Sequence, residues 1–205
     1  MSYTLSEIRP DDRRSMAQVR ALLEQEGIAL DGNLDYTCAL FDEDDQLAAT
    51  GSSFGSTLRC FAVDRAHQGE SLLNQIVSHL VERLTGQGRT HLFVYTKVST
   101  AKFFQDLGFY EIARVENTLS FLENRKNGFA RFCARLAQNR TEAPSAAIVM
   151  NANPFTLGHL ALAERAAAEF PAVHLFVLEE DASLVPFAVR WKLVNEGVAH
   201  LPHVI

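Results

Sequence analysis

The stretch AAIVMNANPFTLGH, residues 146–159, decides the fold of the C-terminal part of this chain. An apolar run typical of a buried strand leads into a turn that contains Pro154, and an alanine-rich segment with helical spacing follows. Thr156 stands where a helix N-cap is expected, so Gly158 and His159 fall in the first helical turn. Backbone N–H groups and an imidazole therefore lie side by side after a strand, an arrangement suited to binding an anion.

Downstream of this turn the pattern alternates between strands and helices. It predicts a helix over about 157–170, a strand over 173–180, a helix over about 187–199 and the start of another strand at 203–205. Uniformly apolar strands joined by helices indicate a parallel sheet. The C-terminal part is therefore predicted to be an α/β, Rossmann-like domain that begins at residue 144 and is incomplete at Ile205.

Upstream, residues 1–143 predict an α+β domain. Its expected elements are a strand, a helix that begins near Asp12, a hairpin, a strand, a long amphipathic helix over 71–84, a strand, a short helix that ends at Gly108, and one or two further strands. A basic helix and the polar linker TEAPS, residues 141–145, complete it. The chain is thus predicted to contain two domains, 1–143 and 144–205.

The loop DRAHQGE, residues 64–70, precedes the long amphipathic helix. A glycine at such a turn lets backbone N–H groups at the helix N-terminus bind a phosphate, with the partial positive charge of the helix end assisting. Gly69 is the glycine of this loop, and a single glycine before a helix is common in proteins. A helix start with Glu70 or Ser71 as its cap explains the same residues without any ligand.

Composition excludes several functional classes. Hydrophobic residues make up 47% and charged residues 21%, as in ordinary globular proteins, and a net charge of −6 without a basic stripe argues against nucleic-acid binding. No apolar run reaches the ~20 residues of a membrane span, and no signal peptide is evident, so we expect a cytoplasmic protein. Three widely spaced cysteines without a CxxC motif predict buried, reduced thiols and no metal site.

The order of elements in residues 1–143 resembles the GNAT family of acetyltransferases. The segment TAKFFQDLGF, residues 100–109, fits the motif that closes that domain, whereas the coenzyme A loop departs from the family pattern because Ala66 stands at its polar first position. The resemblance implies a site for a coenzyme A-like group, here expected to be a protein-attached thiol acceptor rather than free acetyl-coenzyme A. The residues expected to bind it are Val63, His67, Gln68, Gly69, Glu70 and Ser71.

The segment NPFTLGH resembles the (H/T)-x-G-H signature of nucleotidyltransferases, which attack the α-phosphate of a nucleoside triphosphate. The resemblance implies that Thr156 and His159 are catalytic, that ATP is bound with Mg²⁺ accompanying its triphosphate, and that no metal is held by the protein. A capping threonine and a buried histidine would be the purely structural explanation. The residues expected to bind ATP are Asn153, Pro154, Phe155, Thr156, Gly158 and His159.

Together the two segments resemble the citrate (pro-3S)-lyase ligase family, across essentially all 205 residues. The resemblance implies an enzyme that activates acetate as acetyl-AMP. The acetyl group then passes to the thiol of a dephospho-coenzyme A-like prosthetic group on the acyl carrier subunit of citrate lyase. The family also has a second phosphate-binding motif that these 205 residues do not contain. We therefore expect this chain alone to adenylate acetate poorly, as a fragment or as a truncated protein.

Three other functions remain open from the sequence. The chain could be a GNAT-type acetyltransferase or coenzyme A-binding module with a vestigial nucleotidyltransferase segment. It could be a nucleotidyltransferase with another acceptor, such as a pantetheine phosphate or an alcohol phosphate. It could also be a non-enzymatic docking module for an acyl carrier protein, with the basic segment 125–140 attracting an acidic partner.

Overall fold

The computed structural model describes residues 2–141, 144–179 and 183–205. The chain divides into two compact units, Met1–Arg131 and Phe132–Ile205, and the division falls within a helix. Residues 142 and 143, which belong to the expected linker, lie outside the described ranges, as does residue 180 at the end of the predicted strand 173–180. The predicted domain boundary after residue 143 therefore stays a prediction.

The first unit contains a seven-stranded sheet in the order β1-β2-β3-β4-β5-β7-β6. Neighbouring strands are antiparallel except β4 and β5, which are parallel. The expected hairpin and the pair of strands near residue 120 are both present. The strands are β1 (Thr4–Glu7), β2 (Tyr36–Phe41), β3 (Leu47–Phe54), β4 (Thr57–Val63), β5 (Phe93–Thr96), β6 (Tyr110–Val115) and β7 (Leu119–Glu123).

Three helices cover the two faces of this sheet: α1 (Arg13–Gln25), α2 (Leu72–Gly86) and α3 (Val98–Asp106). Asp12 caps α1 by accepting a hydrogen bond from the backbone N–H of Ser15. Helix α1 packs on one face of the sheet, against Ala39, Cys60 and Ala62. Helix α2 packs on the opposite face, against Cys38, Leu40 and Phe61, because successive residues of a strand point to opposite faces. The apolar face predicted for α2 is the one it buries: Leu72, Ile76, Val77, Leu80 and Leu84.

Strands β4 and β5 pair over a short distance only. Their register joins Thr57 to Phe93 and Leu58 to Val94, and the following residues of β4 have no partner in β5. Cys60 has a φ of 56°, in a part of β4 where the register with β3 is irregular. Because the two strands stop pairing, a cleft opens between their carboxyl ends.

The second unit begins with the parallel pair β8 (Ser145–Met150) and β9 (Ala172–Val177), which α5 (Leu157–Glu169) connects. Helix α6 (Phe187–Val198) follows β9, and Val204 then forms a parallel bridge with Val173. The predicted alternation of strands and helices is confirmed for these elements. Their core contains Met150, Ala152 and Val194, with partly buried apolar side chains around them.

One prediction about the cysteines is wrong. Cys38 and Cys60 are buried free thiols, and burial raises the pKa of Cys38 to about 12, but Cys133 is exposed. It lies on α4 (Gly128–Ala137), a helix in which no residue is buried. Because α4 has no buried face, a cysteine on this helix is exposed to solvent. None of the helices in the described ranges combines the length and apolar composition that crossing a membrane requires.

Candidate functional site

The turn between β8 and α5 is organised around Thr156 and His159. Thr156 is the N-cap of α5, as predicted, and His159 is the third residue of that helix. The backbone N–H of Thr156 lies 3.0 Å from Nδ1 of His159, and the Thr156 hydroxyl lies 2.8 Å from the same nitrogen. The two side chains predicted to be catalytic are therefore in direct contact at the N-terminus of a helix.

This contact determines which ring nitrogen of His159 faces a ligand. An amide N–H can only donate, so Nδ1 must accept, and in the neutral imidazole the hydrogen is then on Nε2. Among the described residues no hydrogen bond to Nε2 is found. Nε2–H is consequently available as a donor to a phosphate oxygen, beside the N–H groups of the first turn of α5, which have no partner within the helix.

Phe155 supports this arrangement from one side. Its ring stacks on the imidazole of His159, with centroids 5.7 Å apart and planes inclined by 22°. The ring also contacts α6, because a β-carbon added at Gly197 would lie 2.4 Å from it, and it packs against the core of this unit. Phe155 thus fills the space between the histidine and α6, so its place in the predicted ATP-binding set has a packing explanation.

Gly158, in contrast, has no structural reason to be a glycine. A β-carbon at this position would meet only the Thr156 hydroxyl, at an ordinary contact distance of 3.7 Å. Its backbone is helical and exposed to solvent. Its predicted role in ligand approach therefore has no competing explanation from packing against the described residues and stays a prediction.

A buried arginine that sequence reasoning missed ties the loops of this site together. Arg190, on α6, is fully buried. Its NH1 donates to the backbone carbonyls of Asn151 (2.6 Å) and Leu178 (3.0 Å), and its Nε donates to that of Val185 (2.8 Å). The first carbonyl follows β8, the second follows β9 and the third precedes α6. One guanidinium therefore joins three segments at the carboxyl edge of the sheet, where parallel α/β folds bind ligands.

Asn153 joins the same network. Its side-chain oxygen accepts a hydrogen bond from the backbone N–H of Val185, 2.9 Å away. The predicted ATP-binding residue is thus partly committed to holding the loop before α6. Asn151 contributes similarly, since its amide nitrogen lies 3.1 Å from the Ser183 hydroxyl and its oxygen accepts from Arg190.

The cleft between β4 and β5 is the second candidate site and has a volume of about 440 Å³. It brings together the predicted residues Val63, His67, Gln68, Gly69 and Ser71, but the Glu70 side chain is not among those that line it. Gly69 has a φ of 92° and Ser71 a φ of 59°, so the loop turns sharply before α2 begins at Leu72. No side chain in the described ranges caps the N-terminus of α2, so its first N–H groups are placed to bind a ligand.

The opposite wall of the cleft was not predicted from the sequence. It consists of the end of β5, the N-terminus of α3 and the chain after α1. Lys97 precedes α3 and donates a hydrogen bond through Nζ to the backbone carbonyl of Glu26. Two helix N-termini and one ammonium group therefore border the same space, and their charges favour an anionic ligand. The additional lining residues on this wall are Glu26, Ile28, Thr96, Lys97, Ser99, Thr100 and Phe103.

Comparison with known sequences finds citrate lyase ligases, both as a family model and as individual proteins. Residues 145–205 match the family model of the citrate lyase ligase C-terminal domain. A curated citrate (pro-3S)-lyase ligase from Klebsiella pneumoniae is 34% identical over 194 residues, and one from Haemophilus influenzae is 30% identical over 194 residues. These alignments cover 94% of this chain but 56% and 58% of the two relatives, so the chain spans a little over half their length.

Comparison with solved structures identifies the fold of the first unit. Escherichia coli ElaA superposes with a TM-score of 0.53 at 13% identity, covering 60% of this chain and 100% of its own. A GNAT-family acetyltransferase from Staphylococcus aureus Mu50 superposes with a TM-score of 0.50 at 11% identity, covering 60% of this chain and 98% of its own. The GNAT-like fold predicted from the sequence is confirmed.

Proposed function

We propose, on the premise that this chain is similar to citrate (pro-3S)-lyase ligases along 94% of its length, that it contributes to ATP-dependent activation of acetate for citrate lyase. The observation that carries the proposal is the contact of Thr156 with His159 at the N-terminus of α5. It presents Nε2–H of His159 and the backbone N–H groups of Leu157 and Gly158 from one helix end, while the Thr156 side chain caps the backbone N–H of His159. ATP, acetate and the citrate lyase acyl carrier subunit are the proposed partners, in the cytoplasm.

In the proposed first step a carboxylate oxygen of acetate attacks the α-phosphorus of ATP. The bond to the β-phosphate oxygen breaks, pyrophosphate leaves with its Mg²⁺, and acetyl-AMP remains. Negative charge on the α-phosphate oxygens increases in the transition state, and preorganised donors stabilise it. We assign this role to Nε2–H of His159 and to the first N–H groups of α5, and we treat residues 144–205 as part of a nucleotidyltransferase domain.

In the proposed second step the thiol sulfur of the prosthetic group attacks the carbonyl carbon of acetyl-AMP. The bond from the carbonyl carbon to the phosphate oxygen breaks, AMP leaves with the electron pair, the thiol proton is released to solvent, and a thioester forms. We assign the binding of the phosphate-bearing end of this group to the cleft of the GNAT-like unit, through Gly69, the N-terminus of α2 and Lys97. The presence of these groups on two walls of the cleft supports the assignment.

Two measurements test the proposal as a whole. The chain should bind ATP and, independently, dephospho-coenzyme A, both detected by calorimetry. Acetate-dependent exchange of label between pyrophosphate and ATP should be measured in a form of the protein long enough to catalyse it. Absence of ATP binding by the form that is long enough to catalyse exchange would overturn the assignment of the Thr156–His159 turn. A clear preference for acetyl-coenzyme A with transfer to an amine would instead indicate a conventional acetyltransferase.

Replacing Gly158 with alanine is expected to leave the fold intact. It should lower the rate of acetate-dependent exchange between pyrophosphate and ATP by about 10-fold or more. The new methyl group has room in the protein, and alanine favours a helix over glycine, so the free energy of unfolding should be unchanged or higher by up to about 1 kcal/mol. The methyl group would instead displace the triphosphate, and small displacements of a reacting group are costly. Urea unfolding and exchange rates check the two halves of this prediction.

Gly197 provides the matched comparison. Alanine there would collide with Phe155, so Gly197→Ala should lower the free energy of unfolding by about 1–3 kcal/mol. Loss of stability in Gly158→Ala, or normal exchange by that variant, would show that Gly158 has no role in ligand approach.

Replacing Gly69 with valine is expected to weaken binding of dephospho-coenzyme A about 10-fold or more. Gly69 lines the cleft, and a β-carbon there would meet no described protein atom within 4 Å, so the valine side chain has room to occupy space that the ligand would use. Because Gly69 has a φ of 92°, the substitution also strains the backbone. Gly88→Val is the control, since Gly88 has a φ of 81° and equally open surroundings at the other end of α2. Equal affinities of the two variants would argue against the cleft as the acceptor site.

A further inference from the structure

Glu70 places a negative charge in the loop that is expected to bind phosphate groups. It lies between Gly69 and Ser71, which both line the cleft. A carboxylate pointing into this space would repel an anionic ligand and offset the positive ends of α2 and α3. How the loop accommodates this residue therefore affects what the cleft can bind.

The structure turns the Glu70 side chain away from the cleft. The Tyr3 hydroxyl donates to Oε2 of Glu70 at 2.5 Å, across 67 positions of sequence. The residues on either side of Glu70, from His67 to Leu73, line the cleft, whereas Glu70 does not. Tyr3 thus fixes the carboxylate on the outer side of the loop.

The same hydroxyl also fixes His67. Nδ1 of His67 lies 2.8 Å from the Tyr3 oxygen, and Nε2 lies 3.7 Å from Oδ2 of Asp42. A phenol has one hydrogen, and a carboxylate can only accept it, so the hydroxyl donates to Glu70 and accepts from Nδ1–H of His67. One side chain from the start of the chain therefore orients two residues of the loop.

The acidity of Tyr3 reflects this contact. The hydrogen bond to Glu70 is the largest of the effects that raise the pKa of Tyr3 to about 12, and partial desolvation and the carboxylates of Asp42 and Glu43 add to it. The phenol is protonated at neutral pH, as any tyrosine is, and the raised pKa extends the hydrogen bond to Glu70 into alkaline solution. It would be lost only as the pH rises through about 12.

We propose that Tyr3 is a positioning residue for the cleft, which holds the Glu70 carboxylate outside it and thereby sets the affinity for the phosphate groups of a coenzyme-like ligand. This inference rests on the proposed function of the cleft as the site of the thiol acceptor. It assigns to the N-terminal segment a role in ligand binding, although Tyr3 itself does not line the cleft.

A rescue experiment with dephospho-coenzyme A tests the inference. Tyr3→Phe should bind about fivefold more weakly than wild type, because the released carboxylate can turn toward the ligand, and Glu70→Gln should bind no more weakly than wild type. The double variant Tyr3→Phe with Glu70→Gln should regain most of the affinity of Glu70→Gln, since the amide carries no charge and only the contact of Tyr3 with His67 stays lost. The loss in Tyr3→Phe should also shrink at high salt, which a simple loss of loop structure would not do.

Three outcomes would overturn it. Wild-type affinity in Tyr3→Phe, or a double variant as weak as Tyr3→Phe, would overturn the positioning role while leaving the cleft function intact. Absence of binding by the wild type would overturn the cleft function and the inference with it. Ultraviolet titration of the phenols checks the contact without any ligand: Glu70→Gln should lower the Tyr3 pKa from about 12 toward 10, with Tyr3→Phe as the reference spectrum.

Discussion

Replacing His159 with alanine is expected to lower acetate-dependent exchange between ATP and pyrophosphate by at least about 10²-fold. The change removes one preorganised donor to the α-phosphate oxygens, and losses of a single such donor lie in this range. It also removes the Nδ1 acceptor for the backbone N–H of Thr156, so the turn loses the contact that orients it. Exchange of labelled pyrophosphate into ATP, at saturating acetate, measures the effect on the chemical step.

His200→Ala is the matched control, because this histidine lies in the same unit and its ring contacts Glu164 on the exposed surface of α5. It should retain normal exchange. ATP affinity, measured by calorimetry on both variants, separates a loss of binding from a loss of catalysis. Near-normal exchange by His159→Ala would remove the imidazole from the mechanism and leave the helix N-terminus as the only assigned phosphate contact.

Much of this site could be predicted from the sequence because its determinants are local. An apolar run, a proline turn and a threonine cap specify a strand that passes into a helix within a few residues. The cap and the histidine are three positions apart on one helix, so helical geometry alone brings them together. The buried face of α2 follows from the same kind of local periodicity.

The remainder depends on contacts between distant positions. Lys97 reaches the carbonyl of Glu26, and Tyr3 reaches Glu70, across 71 and 67 positions of sequence. No spacing rule links such residues, because the topology of the sheet brings them together. The error on Cys133 has a related cause: a cysteine is usually buried, but only the tertiary structure reveals that α4 buries no residue.

The contacts of Arg190 also join positions that are distant in the sequence. Its replacement is expected to have the largest effect on the free energy of unfolding. In the sequence it is one basic residue in an amphipathic helix, where a solvent-exposed position is the usual interpretation. In the structure it is fully buried and donates to the carbonyls that follow β8 and β9 and precede α6. Hydrogen bonds from a charged donor contribute more than those between neutral groups, and a carbonyl that loses its donor without gaining a water molecule is left unpaired.

Arg190→Met should therefore lower the free energy of unfolding of the second unit by at least about 2 kcal/mol, although methionine fills similar space. Arg190→Lys should recover only part of the loss, because one ammonium cannot replace both Nε and NH1. Trp191 is the one tryptophan of the chain and lies on α6, so its fluorescence during urea unfolding reports on this unit.

Arg165→Met is the control for the loss of an arginine, since its guanidinium is exposed and pairs with Glu169 one turn away on α5. Its free energy of unfolding should stay within about 0.5 kcal/mol of the wild type. Arg190→Met should also weaken ATP binding, measured without urea on fully folded protein. The reason is that the turn after β8 would lose the hydrogen bond from Arg190 to the carbonyl of Asn151. Unchanged stability in Arg190→Met would mean that the three carbonyls find other donors and that the sheet edge does not depend on this guanidinium.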